Sequence, residues 1–183
     1  MNSIVKNIPN ILTVLRMMAV PAYITFMLKD MIYPALIVFL IAETTDVLDG
    51  FIARRFGLIT KFGKIADPLA DKMMQLAALF TFSRRDMIPR IVPWLVLFKE
   101  LFMLISGLYL IRKNFDMSSK WFGKLTSVVL FIAIMLVFIG VPRRITDVIF
   151  WLCVGMALFA AIMYIRNYFK QVKSADGNTS VKS

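Results

Sequence analysis

The 183-residue sequence has no histidine and one cysteine, Cys153. Without histidine there is no imidazole general base, no Ser-His-Asp triad and no His-bound metal. With only one thiol besides, the Cys and His ligands that a zinc site ordinarily draws on are lacking, and a disulfide within the chain is impossible. Cys153 lies in the middle of an apolar run and is expected to be a small buried apolar side chain. Acidic residues are scarce as well: 11 Asp and Glu stand against 22 Lys and Arg. Met1 to Pro9 carry neither the Arg-rich amphipathic pattern of a transit peptide nor the apolar core of a signal peptide. Ile4, Val5 and Ile8 with Lys6 suit a short segment lying on a membrane surface.

What the chain has in abundance is apolar residues, 60% of the total, with a mean hydropathy of +0.76. Soluble domains are usually about 45–50% apolar. Six runs approach the roughly 20 helical residues that cross a hydrocarbon core: 11–28, 31–53, 64–82, 91–111, 121–140 and 146–165. The expectation is an all-α polytopic membrane protein, a bundle of six transmembrane helices forming one domain over residues 1–170. Residues 171–183 read as a polar, disordered cytoplasmic tail. The thirteen Met and sixteen Phe suit a lipid-facing, helix-packed protein and carry no chemistry. The net charge of +11 would suggest nucleic acid on a soluble protein; here it points to topology and anionic lipid. With the N-terminus inside, twelve Lys and Arg fall in cytoplasmic loops and ends against six outside, so the positive-inside rule places both termini in the cytoplasm.

Five of the 11 acidic residues lie between Glu43 and Asp71. Asp46 and Asp49 are spaced i,i+3 and close the second run. Asp67 and Asp71 are spaced i,i+4 and open the third. Each pair shares a helix face, and a short basic loop returns both helix ends to the same side, so four carboxylates can converge near the cytoplasmic interface. Charge within a span is costly and usually functional. A bound divalent cation removes the repulsion, and an all-oxygen set suits Mg²⁺ or Mn²⁺, with Ca²⁺ as a competitor. Four carboxylates exceed what one Mg²⁺ takes from protein, so two ions are expected, in the arrangement that clamps a phosphoryl transfer. Gly50, Ala53 and Gly57 continue the stripe of Asp46 and Asp49 and leave room for a bulky ligand beside the metals, and Arg54 can pair with a phosphate. The alternative is a small-residue helix-packing seam.

The pattern Asp46-x2-Asp49-Gly50-x2-Ala53-Arg54-x8-Gly63-x3-Asp67-x3-Asp71 resembles the signature of the CDP-alcohol phosphotransferase family at every fixed position. The resemblance implies that Asp46, Asp49, Asp67 and Asp71 hold two metal ions. It implies that Asp71 is also the general base and that Gly50, Ala53, Arg54 and Gly63 border the CDP group. It also suggests a homodimer in a bacterial cell membrane. The opening Asn7-Ile8-Pro9-Asn10-Ile11-Leu12-Thr13-Val14-Leu15-Arg16, the run from Phe62 to Lys72 and the stretch Trp121-Phe122-Gly123-Lys124-Leu125-Thr126 are similar to the family branch that joins CDP-diacylglycerol to glycerol 3-phosphate. That branch often carries Gly-Arg-Glu in the fourth span, where this chain has Phe98-Lys99-Glu100. Lys keeps the charge but loses the bidentate fork.

Several charged residues keep two readings at this stage. Arg16 either reaches a phosphate at the mouth of the site or snorkels to the interface. Lys99 and Glu100 either form an intramembrane ion pair or line the acceptor cavity. Lys64, Lys72, Arg112, Lys120 and Lys124 are acceptor-phosphate candidates or interfacial anchors. Two other functions stay open: the same chemistry with phosphatidylglycerol, serine or an inositol phosphate as acceptor, and a small ion-coupled transporter. Acids gathered at one membrane face, rather than at the midplane, favour the enzyme.

Overall fold

In the computed structural model the backbone is described over residues 3–55, 63–112 and 120–179, and the side chains over residues 10–48, 55, 66–67, 69–103, 105, 125–163 and 166. All the regular structure in these residues is helical: α1 (Ser3–Leu28), α2 (Ile32–Arg55), α3 (Gly63–Arg84), α4 (Val92–Arg112), α5 (Lys120–Phe138) and α6 (Arg143–Thr179). The six helices overlap the six apolar runs. Asn10–Leu28 and Arg143–Met163 are long and apolar enough to cross a membrane, and Leu125–Phe138 is a shorter apolar stretch. Pro34 and Pro93 fall in the first turns of α2 and α4, where a missing N–H leaves no helical bond unmade. α6 continues to Thr179, through most of the segment expected to be a tail. Gln171, Lys173 and Ala175 are good helix formers, and no proline interrupts them.

Three helix ends share one device. After α1, α3 and α5 the residues Asp30, Asp86 and Gly140 take positive φ of 60°, 52° and 81°. The next amide then reaches back to an orphan carbonyl: Met31 N to Phe26 O at 2.9 Å, Met87 N to Phe82 O at 2.9 Å, and Val141 N to Leu136 O at 3.1 Å. This closes each helix with its last carbonyls satisfied. Asp tolerates the left-handed conformation better than most side chains, which lets it stand where Gly140 stands after α5.

The chain forms two compact units, Met1–Met87 and Ile88–Ser183. In the first, α1 packs on both α2 and α3, which also touch each other. Arg16 meets Asp46 and Tyr23 meets Phe39, so α1 and α2 are antiparallel. Thr13 bonds Asp67, the Tyr23 hydroxyl lies 3.1 Å from Thr81 Oγ1, and Arg85 donates to Met27 O at 3.1 Å, so α1 and α3 are parallel. Arg85 also donates to Asp30 at 2.5 Å, tying the α1–α2 turn to the end of α3. In the second unit α6 packs on α4 and α5 around Val96, Leu130, Ile134, Phe150 and Val154. Cys153 is buried there, as expected of a small apolar side chain.

Large apolar side chains face outward in both units, including Met18 at 66%, Ile37 at 56% and Leu152 at 60% exposure, while Thr13, Arg16, Gln75 and Thr81 are buried. The core is mostly apolar, so the informative features are these outward-facing large apolar side chains and the few buried polar ones. Apolar outer faces suit helices solvated by lipid.

Candidate functional site

The carboxylate cluster belongs to the first unit and is built by three helices. Glu43 and Asp46 lie one turn apart on α2, and Asp67 and Asp71 one turn apart on α3. Glu43 lies within the electrostatic reach of Asp46, Asp71, Lys72 and Arg16, so acids of α2 and α3 share one neighbourhood. α1 supplies the polar groups that meet them.

Arg16 is 2% exposed and forms an ion pair and hydrogen bond with Asp46 Oδ1. Its partner is a carboxylate of the motif. Thr13, one turn earlier and fully buried, donates its hydroxyl to Asp67 Oδ1. Asp71 accepts a hydrogen bond from Gln75 Nε2 at 2.8 Å on Oδ1, and Lys72 Nζ lies 3.3 Å from its Oδ2. Lys72 also donates to Gln75 Oε1 at 3.3 Å. Lys72, one of the acceptor-phosphate candidates, thus stands against the carboxylates themselves.

The side chains of Asp49, Gly50, Ala53, Arg54, Gly63, Lys64, Arg112, Lys120 and Lys124 lie outside the described residues. Among the described residues, no three acidic side chains gather closely enough to hold a metal ion. The donor chemistry nevertheless suits a hard cation: every candidate ligand is a carboxylate oxygen, and Asp46 of α2 and Asp71 of α3 both act electrostatically on Glu43.

In the second unit Lys99 and Glu100 form a buried ion pair, with Nζ 2.5 Å from Oε1. Lys99 also lines an apolar cavity of about 360 Å³ between α4 and α6, with Leu95, Phe102, Val154 and Leu158 around it. The ion-pair reading of Lys99 and Glu100 has its counterpart here, and among the described residues the cavity lining holds no other cation.

Sequence reasoning missed Thr13 and Gln75. The signals were present: polar residues recur every third position at Asn10, Thr13 and Arg16 in an otherwise apolar run, and Gln75 stands i,i+4 from Asp71. What the spacing could not supply was the partner helix.

The family model for CDP-alcohol phosphatidyltransferase matches residues 6–162. A protein of Aquifex aeolicus named CDP-diacylglycerol–glycerol-3-phosphate 3-phosphatidyltransferase is 32% identical over 137 residues, 74% of this chain and 76% of its own length. A protein of the same name from Rickettsia typhi is 30% identical over 177 residues, 92% of this chain and 98% of its own. Another from Bacillus subtilis is 27% identical over 193 aligned positions, covering 93% and 99%.

Proposed function

The chain belongs to the CDP-alcohol phosphatidyltransferase family, and from that premise we propose that it transfers the phosphatidyl group of CDP-diacylglycerol to glycerol 3-phosphate, releasing CMP and forming phosphatidylglycerophosphate. It is a transferase of phospholipid synthesis. The observation that carries the choice of acceptor is the likeness to proteins named for that reaction over as much as 93% of the chain.

The family is generally metal-dependent. In this chain Asp46, Asp49, Asp67 and Asp71 would hold two Mg²⁺ or Mn²⁺ ions, which when bound neutralise diphosphate charge and ease departure of the leaving group. Gly50, Ala53 and Gly63 leave space for the CDP group, and Arg54 pairs with its phosphate. Asp71 takes the proton from the acceptor hydroxyl. The freed oxygen attacks the β-phosphorus, the bond from that phosphorus to the bridging oxygen breaks, and CMP leaves. Gln75 and Lys72 hold Asp71 in place for this step. Lys64, Lys72, Arg112, Lys120 and Lys124 are the cations proposed for the acceptor phosphate; Lys72 is supported by its place beside Asp71.

Around this chemistry we place one multi-pass domain of six spans over residues 1–170 in a bacterial cell membrane. Its active site and both termini are cytoplasmic, and it works as a homodimer. The charge asymmetry of the loops and the outward-facing apolar side chains support the membrane placement.

The test is CMP release by the purified protein from CDP-diacylglycerol against a panel of acceptors. Glycerol 3-phosphate is expected to drive release far better than serine, inositol or phosphatidylglycerol. Release driven by phosphatidylglycerol and not by glycerol 3-phosphate moves the protein to the cardiolipin-forming reaction and leaves the carboxylate chemistry in place.

A further inference from the structure

Each motif carboxylate whose side chain is described accepts a hydrogen bond from a buried residue outside the motif. Thr13, 0% exposed, serves Asp67; Arg16, 2% exposed, serves Asp46; Gln75, 4% exposed, serves Asp71 at 2.8 Å. Helix packing alone does not call for such residues. A hydroxyl or amide buried within apolar helices costs free energy unless it is paired, and Val or Leu would fill the same space with no polar group to satisfy. Two of the three donors are uncharged, so charge balance does not account for them either. What a hydrogen bond to one oxygen does is fix the rotation of the carboxylate, as partners of metal ligands do elsewhere.

We infer that Thr13, Arg16 and Gln75 are positioning residues: each fixes the rotation of one motif carboxylate and so sets how tightly the site takes a divalent cation. The inference rests on the proposed reading of those carboxylates as metal ligands. It assigns α1 a role in the chemistry, although α1 carries none of the motif.

The two neutral donors give the cleaner test, because replacing Arg16 changes charge and orientation together. Full-length protein in detergent micelles is stripped with chelator, and Mn²⁺ is titrated in while free ion is read by electron paramagnetic resonance. Thr13→Val and Gln75→Leu are expected to weaken Mn²⁺ binding about 10–100-fold. Thr13→Ser, which keeps the hydroxyl, is expected to bind close to the parent protein, and the melting temperature in chelator should not fall in Thr13→Val. The inference is overturned if Thr13→Val and Gln75→Leu bind Mn²⁺ as the parent does, or if Thr13→Ser loses as much as Thr13→Val. Asp67→Asn separates the two levels. If that variant and the parent bind Mn²⁺ equally, the carboxylate-ligand reading itself fails, whatever the Thr13 and Gln75 variants do.

Discussion

Arg16 and Asp46 form an ion pair across the α1–α2 face in which the guanidinium side chain is 1% exposed and the carboxylate 33%. The two ends of the pair are therefore unequal. Asp46→Leu leaves a buried guanidinium without its carboxylate and is expected to cost about 3–5 kcal/mol. Arg16→Met leaves a carboxylate with partial access to water and should cost about 1–3 kcal/mol. The double variant should recover much of the loss, because apolar groups can replace a buried pair. Reversible unfolding in detergent with chelator present measures all three. Equal losses for the two single variants would mean that burial does not govern this pair.

Among the described residues Asp71 meets Gln75 and Lys72, and it is the residue proposed to take the acceptor proton. Asp71→Asn keeps the shape and an oxygen but loses the base. Its turnover should fall about 10²–10⁴-fold, or further if a metal ligand is lost as well, while CDP-lipid binding persists. A variant that keeps more than a tenth of the parent rate points to another base.

Metal removal gives a separate check. Dialysis against chelator should abolish CMP release, and Mg²⁺ or Mn²⁺ should restore it. Asp46→Asn and Asp67→Asn should need more metal for half-maximal rate, since each removes a charged oxygen from the set. Full turnover by stripped protein would refute the metal-dependent mechanism.

The orientation can be read by labelling. In a Cys153→Ala background, single cysteines replace Ile59 and Met87, and intact cells are treated with an impermeant thiol reagent. Position 87 should react and position 59 should not, given the excess of Lys and Arg on the proposed inner side. The reverse pattern would turn the protein over in the membrane.

The helices were legible in the sequence because apolar length is a one-dimensional property. Ile32–Arg55 matches the run 31–53 and Val92–Arg112 matches 91–111 almost residue for residue. The motif was equally visible, since i,i+3 and i,i+4 spacing places Asp46 with Asp49 and Asp67 with Asp71 on common faces. The carboxylates' partners were not, because they come from a helix far away in sequence. Thr13 is 54 positions from Asp67 and Arg16 is 30 from Asp46. The spacing of α1 alone does not tell that Arg16 lies against Asp46 of α2. The continuation of α6 past Gln171 is not signalled by apolar length, because Gln171, Lys173 and Ala175 favour a helix without making an apolar run.

The parallel pairing of α1 with α3 turns α1 into a spacer of fixed length. Ten residues separate Thr13, at the carboxylates, from Tyr23, which rests against Thr81. At 1.5 Å per residue the two contacts stand about 15 Å apart along the axis. Inserting one residue between Arg16 and Tyr23 would rotate Thr13 and Arg16 by about 100° relative to Tyr23 and carry both off the acidic face. Inserting four would return them to roughly the same face but about 6 Å too far along, beyond the reach of a single side-chain hydrogen bond. This stretch of α1 can therefore change its lipid-facing side chains freely, but it cannot change its length.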